Sequence, residues 1–216
     1  MNLKTMRPVA CAAMFVLAVT SCGGGDDNGT GPSGDTLTAA EFDGLVDAFG
    51  GLTDLAFSSA FSANRTTVPL TKGLAAQQAE TFTIDATGPC PNGGTAHVVG
   101  NGSITTSANG QTGTVSVTVT ETFSSCKSSS ETTGQIFDFT SNPNIAFTIT
   151  TTFNTQTTAG SLTAHMSGGF LWVSNGKNGG CSLSINVAVT FSASGSESGA
   201  ATGTVCGKAI NEPITE

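Results

Sequence analysis

Residues 114–123 read Thr-Val-Ser-Val-Thr-Val-Thr-Glu-Thr-Phe. Val115, Val117, Val119 and Phe123 fall on one phase of a period of two, and Thr114, Ser116, Thr118, Thr120 and Thr122 fall on the other. Successive side chains of an extended chain point to opposite faces. The stretch is therefore a strand with one apolar and one hydroxylated face, as in a half-buried antiparallel sheet. Glu121 breaks the pattern, a carboxylate in the inward phase. We place it at the rim of the sheet; a polar group in a pocket or a shift of register would give the same pattern.

The alternation extends in both directions. Before it, Phe82, Ile84 and Ala86 mark a first strand, and Ala96, Val98, Gly100, Gly102 and Ile104 one face of a second. Asn109-Gly110 then gives a tight hairpin signal. After it, Phe137 and Phe139 mark a fourth strand, ended by Asn142-Pro143-Asn144, and Ile145, Phe147, Ile149 and Phe153 a fifth. Leu162, Ala164, Met166, Phe170 and Trp172 mark the sixth, with a bulge expected at Gly168-Gly169. Leu183, Ile185, Val187, Val189 and Phe191 mark the seventh; Ala201, Gly203, Val205 and Ala209 mark the eighth. Short turns between about eight strands predict an all-β fold, an antiparallel up-and-down meander over 80–216. Twist should leave it strongly curved or barrel-like.

Upstream the period changes. Residues 36–63 predict a helix that opens on a capping box, Thr38 with Glu41, and a hydrophobic staple, Leu37 with Phe42. Phe42, Leu45, Val46 and Phe49 share one face. Gly50 and Gly51 should end or kink it. Leu52, Leu55, Phe57 and Phe61 follow, apolar on more than one side. Residues 64–79 read as a connection, with Val68 and Leu70 around Pro69. The segment 36–79 thus supplies an N-terminal helical piece to pack on the apolar face of the sheet.

Lys4 and Arg7 followed by the apolar run Val9–Val19 read as a signal segment over 1–21. The run is too short for a spanning helix, which needs about 20 residues. It ends in Val19-Thr20-Ser21-Cys22, which resembles the lipobox of bacterial lipoproteins. That resemblance implies cleavage before Cys22, diacylglycerol on its thiol and an acyl chain on its new amino group. Chains of this number hold a protein stably on a membrane. In lipoproteins an Asp after the cysteine tends to retain the protein in the inner membrane; Gly23 stands here, so the resemblance implies an outer-membrane anchor, facing the periplasm or the cell surface. After Cys22 the chain to residue 35 is Gly, Asp, Asn, Thr, Ser and Pro, and 22–35 reads as a flexible tether. The strings Cys90-Pro91-Asn92-Gly93-Gly94 and Gly203-Thr204-Val205-Cys206-Gly207 resemble those of Thr- and Gly-rich β-meander lipoproteins, and no activity travels with that likeness.

Cys11 leaves with the signal and Cys22 is taken by lipid. Cys90, Cys126, Cys181 and Cys206 remain, an even number in an exported domain, which reads as two disulfides. Strand ends alternate in a meander. Cys90 and Cys126 fall at one end, with the hairpin at Asn109-Gly110 placing residue 93 opposite 126. Cys181, before the seventh strand, and Cys206 fall toward the other end of their hairpin. The expected pairs are Cys90–Cys126 and Cys181–Cys206. The second requires a bulge or an irregular turn, because a regular hairpin sets Cys206 opposite residue 185.

The remaining chemistry is thin. Removing Lys4 and Arg7 leaves five cations against fifteen carboxylates, which disfavours nucleic acid as a partner. The cysteines lack Cys-x-x-Cys spacing and only two histidines accompany them, so no metal is expected. No cofactor motif is present. His97 and His165 lie on the polar phase of their strands without a Gly-x-Ser-x-Gly elbow; Gly195–Gly199 has Glu197 at its centre. Asp85, Glu121 and Asp138 are isolated carboxylates. There is no Tyr, and Trp172 is the only Trp, which disfavours a carbohydrate module. The expectation is a non-enzyme: a membrane-anchored envelope lipoprotein serving as a binding or structural module. The alternative is a carrier or sensor of a hydrophobic small molecule or lipid, held in a cup lined by Phe42, Phe49, Phe147, Phe170 and Phe191. A cavity of about 300 Å³ or more would favour the carrier.

Overall fold

The computed structural model describes residues 34–63 and 79–215, excluding the side chains of Leu55 and of 57–63. Cys22, Val68, Leu70 and the side chains of Leu55, Phe57 and Phe61 lie outside the described residues. Among the described residues one helix, α1 (Ala39–Ala63), precedes ten strand segments. These are β1 (Glu80–Pro89), β2 (Thr95–Thr106), β3 (Thr112–Ser124), β4 (Cys126–Ser129), β5 (Ile136–Ser141), β6 (Ile145–Asn154), β7 (Gly160–Ser174), β8 (Lys177–Phe191), β9 (Glu197–Val205) and β10 (Lys208–Thr215). The sheet runs β1-β2-β3-β6-β7-β8-β9-β10, with β5 paired to β4 and β7. Every pairing is antiparallel. β4 continues β3 beyond Ser125, and β5 runs on into β6. The ten segments therefore make eight long strands in sequential order, an all-β up-and-down meander.

Two strands were divided differently from the expectation, in opposite directions. The fourth and fifth are one bent strand, not two hairpin neighbours. At the bend, residues 142–145 stand opposite only Gly168 and Gly169, between the pairs Ser141↔Phe170 and Ala146↔Ser167. Asn142 N–H donates to the Gly169 carbonyl at 2.9 Å and Gly169 N–H to the Pro143 carbonyl at 3.2 Å. Gly169 thus holds Asn142 and Pro143 across the sheet through two backbone bonds, and the chain does not reverse. The bulge lies on this strand; Gly168 and Gly169 keep one-to-one pairing with Leu183 and Ser182. The eighth strand is really two, β9 and β10. Cys206 (φ 50°) and Gly207 (φ 79°) form the two-residue turn between Val205 and Lys208, with the positive φ angles that suit the strand twist. Ala209 consequently faces solvent, and Ile210 and Ile214 face the core.

Turns at 107–111, 155–159 and 192–196 define what we call the lower end of the sheet; both disulfides lie at the upper end. Cys90 is joined to Cys126, with Cα atoms 5.5 Å apart. The β2–β3 register, Thr95↔Ser124, is the one that a hairpin centred on Asn109-Gly110 requires. Cys181 is joined to Cys206, with Cα atoms 4.3 Å apart. Cys181 lies inside β8, opposite Phe170, not before the strand. Because the turn after Phe191 spans 192–196, Leu183 pairs with Val205 and Cys206 comes to Ser182 instead of residue 185. No bulge is needed. The bonds close separations of 36 and 25 residues, each restricting the unfolded chain by about 3–4 kcal/mol on a chain-entropy account.

The helix begins as its capping signal predicts. Thr38 N–H donates to Glu41 Oε2 at 2.8 Å and Glu41 N–H to Thr38 Oγ1 at 3.3 Å. Lys177, at the β7–β8 turn, donates to the same carboxylate at 2.7 Å. The Lys177 ammonium and the Thr38 donors hold Glu41 down to about 2. Gly50 and Gly51 do not end the helix. Leu52 and Ala56 beyond them are buried, and that burial offsets the preference of glycine for coil. Neither glycine has a neighbour within 4 Å of where a Cβ would stand. Gly51→Ala should therefore raise stability by about 1 kcal/mol, and the double alanine variant by about twice that. An unchanged or lower thermal midpoint would show that these glycines serve packing.

The sheet is open: β1 and β10 each pair with one neighbour only. It is nevertheless curved. Ala56 and Ala86 of β1 share one small cavity, and Lys208 of β10 lies 4.0 Å over the Phe42 ring. One buried cluster holds Ile84 of β1, Ile210 of β10 and the helix residues Phe42 to Ala56, as in a sheet that curls around the helix. Glycines on the inner face assist packing where rings need room. Gly102, Gly113 and Gly179 are direct partners of Phe82, Phe153 and Trp172, whose rings occupy the place of the missing Cβ.

Candidate functional site

The space between α1 and the inner face of the sheet is the obvious place for a ligand. It is filled. Phe49 stacks on Phe170 at 4.5 Å and meets Phe123 and Phe139 edge-on at 6.0 Å. Phe42, Phe147 and Phe170 belong to the same buried cluster. Phe191 does not: it is half-buried at the lower end of β8, between Gly160 and Glu197. Between helix and sheet, Leu52, Ala56, Ala86, Cys90, Ala96 and Val98 help to line a cavity of about 20 Å³, room for about one water. None of the five phenylalanines lines it.

Glu121 is not at the rim. It is fully buried on the inner face of β3, opposite Val98 of β2 and Ile145 of β6. Val119 and Phe123, its neighbours on that face, are also buried. Neither carboxyl oxygen has a hydrogen-bond partner. Burial pushes this carboxyl well above the usual carboxylate range, because a charge there would lose its hydration without compensation. Trp172 Nε1 is likewise buried without a partner. Two orphaned polar groups in one core are what the structure adds. The inward phase of Glu121 was the sequence signal for one; nothing in the sequence marks the other.

The histidines lie on the opposite face. His97 Nε2 is 2.9 Å from Asp85 Oδ1, and His165 Nδ1 is 2.9 Å from Asn186 Oδ1. His97 pairs across the sheet with Thr122, one residue from Glu121. Adjacent side chains of a strand point to opposite faces, so the sheet itself separates His97 from Glu121. His97, His165 and Glu121 do not converge in one cleft. Asp138 stands on the outer face, 4.0 Å from Lys127. Among the described residues no group of three or more His, Cys, Asp or Glu is placed to hold a metal ion.

The outer face of β1–β3 carries an open trough of about 640 Å³. Its side chains include Thr81, Thr83, Asn101, Ser103, Ser116 and Thr118, all uncharged. Elsewhere on that face Ile136, Leu171 and Val173 are about half exposed. The outward phase of Leu171 and Val173 was readable beside Phe170 and Trp172, but the expectation did not use it. Compared with family models, with curated proteins and with solved structures, the chain matches none.

Proposed function

We propose that the protein is an envelope lipoprotein anchored through Cys22, in the outer membrane of a cell that has one, and that its β domain is a non-enzymatic binding or structural module. The observation that carries the second half is the filled space between helix and sheet: about 20 Å³, against the 300 Å³ or more that a small-molecule site occupies. The first half is supported by Val19-Thr20-Ser21-Cys22 behind a short apolar run. Among the described residues no helix is long and apolar enough to cross a membrane. The intact mass of the mature chain, purified from its native membrane, should equal residues 22–216 plus a diacylglycerol and one acyl chain. A mature chain that begins elsewhere, or lacks the added mass, overturns the anchor.

A second reading, a carrier of hydrophobic molecules, is favoured by the orphaned Glu121 and Trp172, which a ligand with a polar head would satisfy. It requires α1 to move. Native mass spectrometry of the membrane-purified protein separates the two: a retained lipid-sized ligand favours the carrier, and a bare chain favours the module.

A further inference from the structure

We propose that the upper end of the sheet's outer face, around Ile136, Leu171 and Val173, is a membrane-contact surface that lays the domain against the bilayer. This rests on the anchor at Cys22 and goes beyond it, since a tethered domain need not touch lipid. Ile136 is 50%, Leu171 44% and Val173 53% exposed, on a face otherwise rich in Thr, Ser and Asn. Leu171 and Val173 are two residues apart on one side of β7. Val173 stands opposite Asp138 of β5, and Ile136 is two residues further along that strand on the same side. On the other flank, Gly180 opposite Leu171 has no side chain to cover it. Asp138, the one carboxylate in the group, has Lys127 Nζ 4.0 Å away, which lessens the charge that would be brought to the lipid.

The position of the tether selects a bilayer as the occupant. The described chain starts at Gly34, which bridges to Gly179 at the upper end of β8. Asp35 N–H donates to the Asn178 carbonyl at 2.8 Å, and Asn178 N–H to the Asp35 carboxylate at 2.9 Å. Gly34 is thus two strand spacings from β7, about 10 Å. Cys22 lies twelve positions earlier, a span of at most about 43 Å. The fifteen-residue strands β7 and β8 are about 50 Å long. The anchored end and the apolar group are therefore the same end, and the tether is shorter than the strands. Half-exposed aliphatic side chains next to a lipid anchor gain by entering the headgroup–acyl boundary.

The test uses the lipidated mature protein in vesicles of phosphatidylethanolamine and phosphatidylglycerol. An environment-sensitive dye is attached at Val173→Cys or, as a lower-end control, at Ser194→Cys, and brominated lipids serve as quenchers. The dye at 173 should be quenched at least twofold more than the dye at 194. Ile136→Ser with Leu171→Ser should abolish that difference while flotation with the vesicles and the thermal midpoint stay unchanged. Equal quenching with intact flotation overturns the contact surface and leaves the anchor standing. Loss of flotation overturns both. A dye at 173 shielded without vesicles, in a particle of twice the mass, shows that a second copy covers the patch and overturns the proposal.

Discussion

Glu121→Leu should make the protein more stable at pH 7, by about 1–3 kcal/mol, the usual cost of a buried polar group left without a hydrogen bond. The wild-type carboxyl is fully buried, without a hydrogen bond, between Val98 and Ile145. Burial raises its folded-state pKa well above the ordinary carboxylate range. A group raised in this way stabilises the fold fully below its unfolded pKa. That contribution is lost as pH rises from there toward the folded value, at about 1.4 kcal/mol per pH unit. The leucine variant lacks this dependence. Its advantage over wild type should therefore be small near pH 4 and grow through pH 6 to pH 8, read from guanidinium unfolding at each pH. An advantage that does not change with pH would mean that the carboxyl finds a partner or water in solution.

Phe49→Ala should cost about 3–5 kcal/mol, the usual range for emptying a buried aromatic site. The ring is 2% exposed and touches Phe170, Phe123 and Phe139 at once, so it joins the helix to three strand segments. Phe49→Leu should lose distinctly less, because most of the volume remains. Both variants keep the two disulfides, and the shift in denaturant midpoint reads the packing alone. A loss below about 1 kcal/mol for the alanine variant would mean that the helix is not held to the sheet by this contact.

Both experiments probe the packed core, which divides the two functional readings. If the helix is a fixed part of the core, Phe49 carries a large share of the stability and Glu121 is a tolerated flaw. If the core opens to admit a ligand, Glu121 and Trp172 are the buried polar groups without partners that it would satisfy. The leucine variant would then keep its stability and lose the retained ligand, a combination that a purely structural module does not show.

The residue pattern by itself determined the period, and with it most of the architecture. Val115, Val117 and Val119 against Thr114, Ser116 and Thr118 show which side chains face inward, since a strand offers only two phases. Thr38 with Glu41 shows where the helix starts, since a capping box is closed within four residues. The pair Cys90–Cys126 was legible because strand ends alternate in a meander; Cys181–Cys206 pairs as expected, but at the same end of the sheet instead of the opposite one, since the fourth and fifth expected strands are one. The tertiary structure alone decided the rest. Asn142-Pro143-Asn144 bends instead of turning because Gly169 on the next strand takes its hydrogen bonds, and Gly50-Gly51 stays helical because Leu52 and Ala56 are buried beyond it. Glu121 lies in the core instead of at a rim because β2 and β6 flank it on both sides with Val98 and Ile145. Each of these outcomes depends on a partner distant in the chain, and a local pattern of side chains carries no information about what will be packed against it.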